Sequence, residues 1–89
     1  MKYVLTYHAA EGFAPRAREL FPEHQAHYLD FHARGLLVMI GPFTDEPAGD
    51  AMAIFTTRQA AEDFARADPF MLYGLIADWS VRDWHEALF

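Results

Sequence analysis

Cysteine is absent from this sequence. Without it the chain cannot form a disulfide framework, a thiol nucleophile or a thiolate metal site. Basic residues are also few: seven lysines and arginines stand against thirteen acids, which gives a net charge of -6. That balance argues against a surface that binds nucleic acid or an anionic membrane.

Long apolar runs and phosphate-binding or serine-nucleophile motifs are missing as well. No apolar run is long enough to span a membrane, and the N-terminal residues are too polar for a signal peptide. The sequence contains neither a glycine-rich phosphate loop nor a serine elbow. We therefore expect a soluble, cytoplasmic protein.

The residues that are present suffice for one domain, residues 1–89. The sequence is 53% hydrophobic and 16% aromatic, so it has material for a core. A lone chain of this size still buries a modest share of its surface, and oligomerisation is a common remedy.

The pattern of apolar residues and helix caps predicts the order β-α-β-β-α-β. Pro22 suits the first turn of a helix, Gly35 the position after its end, and Thr57 an N-cap, while Pro69 disfavours helix at Asp68. The predicted strands are Lys2–Tyr7, Leu36–Phe43, Ala51–Thr56 and Leu75–Trp84, and the predicted helices are Pro22–Arg34 and Arg58–Ala67. A short helical segment over 16–20 stays open. This order favours a ferredoxin-like α+β sandwich, with one antiparallel sheet and both helices on one face.

The predicted sheet is apolar on both faces. On the second predicted strand, one face carries Leu36, Val38 and Ile40, and the other carries Leu37 and Met39. On the third predicted strand, one face carries Ala51, Ala53 and Phe55, and the other carries Met52 and Ile54. Two helices cover one face only, and the other would expose a large apolar patch. The simplest cover is a second copy related by a two-fold axis. We therefore expect a homodimer with a closed or nearly closed β-barrel.

Asp68 is the least expected residue in the predicted core. The helix before it presents Ala60, Ala61 and Phe64 on one apolar stripe. Asp68 falls four residues after Phe64 and extends that stripe toward the interior. A carboxylate at a helix C-terminus meets the negative end of the macrodipole, and burial adds a desolvation cost. These two unfavourable terms indicate a specific partner for Asp68.

Five histidines are candidate partners. The pattern predicts that His8 lies in a loop, that His85 lies in the frayed tail and that His32 is semi-buried packing. His27 shares a helix face with three charged residues, Glu23, Asp30 and Arg34, so we expect it to be exposed. His24 instead aligns with Tyr28, Phe31 and Gly35, an edge that should border the sheet.

His24 is the candidate general base. We expect it near the N-terminus of its helix, where the dipole disfavours an imidazolium and leaves a neutral ring able to accept a proton near pH 7. Asp68 on its far nitrogen would fix the tautomer and stabilise the protonated intermediate. Two alternatives stay open: the residues are bonded for structure alone, or Asp68 caps its own turn.

The sequence resembles the YCII-related (YciI-like) family of the dimeric α+β barrel superfamily. The matching segments are Pro22-Glu23-His24, Gly35, Gly41-Pro42, Ala67-Asp68-Pro69-Phe70 with Gly74-Leu75, and Ser80-Val81-Arg82. The Asp-Pro-Phe segment with its downstream glycine is the most specific. The resemblance implies a ferredoxin-like fold, a homodimer and an active site in which His24 and Asp68 occupy the family's His and Asp positions.

The resemblance also implies a small-molecule enzyme that needs no cofactor and has lyase, dehalogenase or isomerase-type chemistry. One departure is Phe21, because the family often has a basic residue three before the histidine; Arg16 or Arg18 is a candidate substitute. We expect the aromatic ligand to contact Tyr7, Tyr28, Gly41, Phe70 and Tyr73. Alternatively, the aromatic residues, including Trp79 and Trp84, belong to the core or dimer interface.

Other functions are compatible with the same residues. His24 and His27 have a spacing that can share a metal, but helix geometry turns His27 outward and no third ligand is evident, so we expect no metal site. Arg82 is a candidate anchor for a substrate carboxylate or a surface partner of Asp78. The alternatives to an enzyme of the predicted class are a non-catalytic small-ligand-binding or accessory module and a cofactor-free oxygenase.

Overall fold

The computed structural model describes all residues, 1–89. Its elements are β1 (Lys2–Ala9), α1 (Phe13–Ala33), β2 (Leu37–Pro42), β3 (Ala51–Phe55), α2 (Arg58–Ala67), α3 (Pro69–Leu72) and β4 (Ile76–Trp84). The four strands form one sheet in the order β2-β3-β1-β4, and every neighbouring pair is antiparallel. The predicted ferredoxin-like α+β fold is therefore confirmed, with α3 as an additional single turn.

The helix α2 has the predicted bounds because both of its ends are encoded locally. The Thr57 side chain accepts a hydrogen bond from the backbone N–H of Ala60 at 3.0 Å, as an N-cap does. At the other end Asp68 is extended, with φ -65° and ψ 128°, which is the conformation favoured before proline. Four apolar residues of α2 are buried against the sheet: Ala60, Ala61, Phe64 and Ala65.

The helix α1 ends as predicted but begins nine residues earlier, at Phe13 rather than Pro22. At its end Gly35 has φ 76°, and the N–H groups of Gly35 and Leu36 donate to the carbonyls of His32 and Phe31 in a Schellman motif. Pro22 lies inside the helix. An interior proline costs about 3 kcal/mol in an isolated helix. Here the first half of α1 is held by contacts of Phe13, Ala17 and Leu20 with the core, which offset that cost.

A β-bulge in β2 corrects the predicted faces of that strand. Leu37 pairs with Phe55, but the next pairs are Met39 with Ile54 and Ile40 with Ala53, so Val38 is the extra residue. Leu37 and Ile40 consequently face the helices, whereas the prediction had placed them on opposite sides. The faces of β3 are as predicted, since Ala53 and Phe55 are buried in the core.

The face of the sheet turned away from the helices is called the open face below. Register places Val4, Met39, Met52, Ile54 and Trp84 on it, together with the polar residues Thr6, Ser80 and Arg82. Met39 and Trp84 are exposed, and Val4, Met52 and Ile54 are half-buried. The opposite face carries the core, in which Leu5, Tyr7, Phe55, Phe64 and Leu75 are buried. None of the helices has the length and apolar character needed to cross a membrane.

Candidate active site

Asp68 lies at the junction between α2 and α3 and is completely buried, with 0% of its surface exposed. Proline at position 69 ends α2 and occupies the first turn of α3, where its missing N–H costs nothing. Asp68 thereby becomes the N-cap of α3, and its Oδ1 accepts a hydrogen bond from the N–H of Phe70 at 3.1 Å. The sequence left a capping role of Asp68 open as an alternative; the turn that Asp68 caps is the one that follows it, and this bond compensates for the unfavourable C-terminal position on α2.

Two further donors complete the surroundings of this carboxylate. Nδ1 of His24 lies 2.8 Å from Oδ1 of Asp68, and the hydroxyl of Tyr7 donates to Oδ2 at 2.8 Å. The structure thus brings together His24 and Asp68, the two residues predicted to meet. Every fully buried side-chain nitrogen and oxygen has a partner, so burial leaves no unmet hydrogen bond at this site.

Tyr7 is held as a neutral phenol. Burial raises its pKa well above the ordinary value near 10, and the nearby charge of Asp68 and the hydrogen bond to it act in the same direction. The sequence predicted Tyr7 as a ligand contact and missed its bond to Asp68. The signal was available in part: Tyr7 alternates with Leu5 on the core face of β1, so its hydroxyl needed a buried acceptor.

The orientation of the His24 ring is fixed on several sides. The ring stacks on Phe70 with centroids 3.9 Å apart and planes 7° apart, and Tyr28 meets it edge-on at 5.3 Å. Because a carboxylate only accepts hydrogen bonds, Nδ1 carries a proton, and in the neutral tautomer Nε2 is the basic nitrogen. No hydrogen bond within the protein uses Nε2. The ring also lines the main cavity of the molecule.

The dipole argument for a neutral His24 is wrong. It required His24 to stand near a helix N-terminus, but α1 begins at Phe13, and His24 lies in the middle of the helix. The effect of the macrodipole falls off within the first and last turns. Contacts with Asp68 and the aromatic rings, and not the helix end, therefore define the environment of His24.

The cavity lies between α1 and the sheet and has a volume of about 820 Å³. Its lining is mainly apolar, with 13 hydrophobic residues among 19, and every strand and helix contributes. Four of the five predicted ligand contacts line it: Tyr7, Tyr28, Gly41 and Phe70. Its size and character fit a small apolar or aromatic molecule that meets a few polar groups.

Tyr73 is the predicted ligand contact that the structure does not bring to the cavity. It follows the single turn α3, its side chain is 51% exposed, and its carbonyl accepts a hydrogen bond from Arg16 at 3.1 Å. The chain reverses immediately afterwards at Gly74, which has φ 76°. Because α3 was not predicted, Phe70 and Tyr73 were both assigned inward, and only Phe70 is buried.

His27 is also placed differently from the prediction. It is half-buried between α1 and α2, where Nε2 lies 2.9 Å from the carbonyl oxygen of Phe64 and the ring packs 4.5 Å from that of Phe64. The Asp30–Arg34 ion pair of the expected charged face is present, with its closest atoms 3.1 Å apart. Glu23, Asp30 and Arg34 are exposed as expected, and His27 is the residue of this face that turns toward α2. No group of three or more His, Cys, Asp or Glu side chains is arranged to hold a metal.

The remaining histidines lie outside the cavity. His8 belongs to β1 and not to a loop, and its Nδ1 lies 3.1 Å from Asp50. Asp50 also accepts a hydrogen bond from the N–H of Ala9. This bond lowers the pKa of Asp50 most, and the hydrogen bond with His8 lowers it further. His32 is exposed and not semi-buried, and His85 is exposed beyond the last strand.

The chain is thus a small α+β domain in which a buried His–Asp pair lies at the wall of a mainly apolar cavity. The chain belongs to the YCII-related family: its sequence matches the YCII-related domain over residues 1–85. No curated protein matches the sequence.

Among solved structures, the chain is similar to a 5-chloro-2-hydroxyhydroquinone dehydrochlorinase (TftG) from Burkholderia phenoliruptrix AC1100, in complex with 2,5-dihydroxybenzoquinone. The TM-score is 0.80 and the sequence identity 19%, and the alignment covers 98% of this chain and 96% of the other. This likeness supports the fold over essentially the whole chain.

Proposed function

We propose that this chain is a small-molecule enzyme that needs no cofactor and transfers a proton in a lyase, dehalogenase or isomerase-type reaction. The observation that carries the proposal is the contact between Nδ1 of His24 and Oδ1 of Asp68 at 2.8 Å, on the wall of the large apolar cavity. A positioned base of this kind contributes about 10²–10⁴-fold to a rate.

In this proposal Nε2 of His24 accepts a proton from the bound substrate, and Asp68 stabilises the imidazolium that forms. In a loss of HCl from the keto tautomer of a chlorinated hydroxyhydroquinone, in which the chlorine is on a tetrahedral ring carbon, the electron pair of the broken O–H bond forms a new C=O bond. The conjugated ring double bond then shifts to the carbon that carries chlorine, and chloride leaves with the pair of the carbon–chlorine bond. The imidazolium then returns its proton to water. The dehydrochlorinase with a similar fold makes chlorinated hydroxyhydroquinones the first substrates to test.

The proposal is tested by chloride release from 5-chloro-2-hydroxyhydroquinone, followed with a chloride electrode. We expect His24→Gln to lower turnover by about 10²–10⁴-fold while the fold is kept. His85→Gln, which changes an exposed histidine outside the cavity, is the matched control and should not alter the rate. Turnover at the same rate in His24→Gln and the unaltered chain would contradict the role of His24.

A second measurement needs no substrate. Nitrogen NMR of the imidazole should find the proton on Nδ1 and a free lone pair on Nε2 when the ring is neutral. The opposite tautomer would contradict Nε2 as the base.

Oxygen uptake, recorded alongside chloride release with the same substrate, distinguishes the elimination from the oxygenase alternative. The oxygenase would consume oxygen with an aromatic substrate, and the elimination would not.

A non-catalytic ligand-binding or accessory module is the second candidate function. It is favoured by the three donors around Asp68, because the bonds from Tyr7 and Phe70 also join β1 to α3 and would be kept for structure alone. In that case His24→Gln and Asp68→Asn would change stability or ligand affinity, and no substrate of the tested class would be turned over.

The proposal includes a cytoplasmic homodimer in which the open faces of two copies pack together. Its support is the apolar set Val4, Met39, Met52, Ile54 and Trp84, which would be covered in such an interface. Light scattering coupled to gel filtration should give twice the chain mass of 10.2 kDa. Ile54→Glu should shift the protein to the monomer, whereas a monomer in the unaltered chain would refute the interface.

A further inference from the structure

The main cavity is electrostatically unlike the rest of the protein. The chain carries thirteen acidic residues, yet no Asp or Glu is among the residues that line the cavity. The single Lys or Arg in the lining is Arg18. The lining of the cavity therefore carries one fixed charge, which is positive, while the carboxylate of Asp68 lies behind Tyr7 and His24 and is bonded to both. This arrangement favours an anionic group at the Arg18 end of the cavity over a cationic one.

Arg18 is also free to bind such a ligand. Four of the other basic residues, Lys2, Arg34, Arg58 and Arg66, are in ion pairs, and Arg16 donates to the carbonyl of Tyr73. The structure contains no ion pair or hydrogen bond of Arg18. A guanidinium presents several donors in a fixed planar geometry that matches a carboxylate or another oxyanion.

The position of Arg18 fits an anchor at the cavity entrance. Arg18 and Pro22 are one turn apart on α1, and both are exposed while lining the cavity, so they mark its solvent edge. His24 lies six residues further along the same helix, which corresponds to about 9 Å of helical rise. Because Arg18 is exposed and His24 is buried, the two residues also stand at different depths in the cavity, and they would contact opposite ends of one ligand.

Much of the lining of the cavity is aromatic. Phe13, Phe21, Phe64 and Phe70 line the cavity, and Phe70 already stacks on the ring of His24. Ring-shaped apolar surfaces of this kind select planar ligands by stacking and edge contacts. A flexible anionic chain would gain less from these walls than a flat ring.

We propose that Arg18 is the anion-binding residue of this cavity, and that its ligand is an aromatic or quinoid ring bearing an anionic oxygen substituent at the end remote from His24. The inference builds on the proposed function by naming its substrate class. The guanidinium binds the oxyanion at the entrance, the ring lies against the phenylalanines, and the opposite edge of the ring faces Nε2.

The experiment measures binding and not turnover. Benzoate and benzamide have the same shape and differ in charge, and benzylamine is the cationic counterpart; ligand-observed NMR titration gives the affinity of each. The unaltered chain should bind benzoate about tenfold more tightly than benzamide, the size expected of a charge-assisted bond at a partly exposed site. Benzylamine should bind most weakly, and added salt should reduce the preference for benzoate.

Arg18→Gln should remove the preference for benzoate and leave the affinity for benzamide unchanged, and Arg18→Lys should restore part of it. Arg16→Gln, in which a neighbouring exposed arginine outside the lining is changed, is the matched control and should keep the preference. A preference that survives in Arg18→Gln overturns the proposal, as does equal or undetectable binding of benzoate and benzamide by the unaltered chain. If His24 proves not to be a base, these binding results still hold, so the two proposals fail separately.

Discussion

Replacing Asp68 by asparagine and by alanine separates the structural role of its carboxylate from its chemical role. Asparagine keeps one acceptor oxygen, which can still serve Nδ1 of His24 and the N–H of Phe70, the two donors to Oδ1. Its amide NH₂ then faces the hydroxyl of Tyr7, which can rotate to accept because a hydroxyl is both donor and acceptor. Alanine leaves all three buried donors without a partner.

The expected losses of stability differ accordingly. Each unsatisfied buried donor costs about 1–3 kcal/mol, so Asp68→Ala should lose roughly 3–9 kcal/mol. That is comparable with the whole stability of a small domain, about 5–15 kcal/mol. Asp68→Asn loses only the extra strength of hydrogen bonds to a charged acceptor, which we put at about 1–3 kcal/mol in total.

Urea unfolding followed by circular dichroism measures both variants. With a slope of about 1 kcal/mol per molar urea, the midpoint should fall by about 1–3 M in Asp68→Asn and by at least about 3 M in Asp68→Ala. The chain concentration must be equal throughout, because association shifts apparent stability. An alanine variant that unfolds at the unaltered midpoint would refute the reasoning about the three donors.

The same variants test the chemistry. Asp68→Asn should remain folded yet lose about 10²–10⁴-fold in turnover, because a neutral amide stabilises an imidazolium poorly. If folded Asp68→Asn turns over substrate at the full rate, Asp68 has a structural role only.

Substitutions at Tyr7 and at two glycines give further predictions. Tyr7→Phe should lower the free energy of unfolding by about 1.5–3 kcal/mol near pH 7. Because the pKa of Tyr7 is raised in the folded chain, the unaltered protein should lose stability as pH rises above about 10, and Tyr7→Phe should lack that loss; urea titrations from pH 9 to 11 compare them. Gly49→Ala should destabilise by about 1–3 kcal/mol, since φ is 96° and a Cβ would lie 2.6 Å from the Phe13 ring; Gly12→Ala, with φ 75° and open space, should cost less in thermal unfolding.

Much of the fold could be predicted where the signal is local. Thr57 and Pro69 delimit α2 because a side-chain cap and a missing N–H act within a few residues. The contact of His24 with Asp68 was also predictable, because a carboxylate on an apolar helix stripe needs a buried partner, and His24 lay on the sheet-facing edge of α1.

The errors arose where one local signal opposed a longer pattern. Pro22 indicated a helix start, yet Phe13, Ala17, Leu20 and His24 follow one another at intervals of four, three and four residues, which is a continuous helical stripe. Following that stripe across the proline would have given the full length of α1. Tertiary packing overrides the weak preference of proline for the first turn in this helix.

Other differences could not be derived from sequence patterns. The bulge in β2 depends on how the strand pairs with β3, and an alternating pattern does not reveal which residue is extra. The turn α3 has only four residues, which is too short for a periodic pattern of apolar residues. The sequence therefore did not indicate that the side chain of Tyr73 points outward. The burial of His27 depends on how α1 rotates against α2, which the charged residues on the same face do not determine.

The connections made by Asp68 tie the candidate active site to the completion of folding. Its side-chain partners His24 and Tyr7 lie 44 and 61 residues earlier in the chain. Contacts between such distant segments form only after the entropy of closing long loops has been overcome. A partly folded molecule with intact helices would therefore lack the assembled site, and ligand binding would report on the native state as a whole.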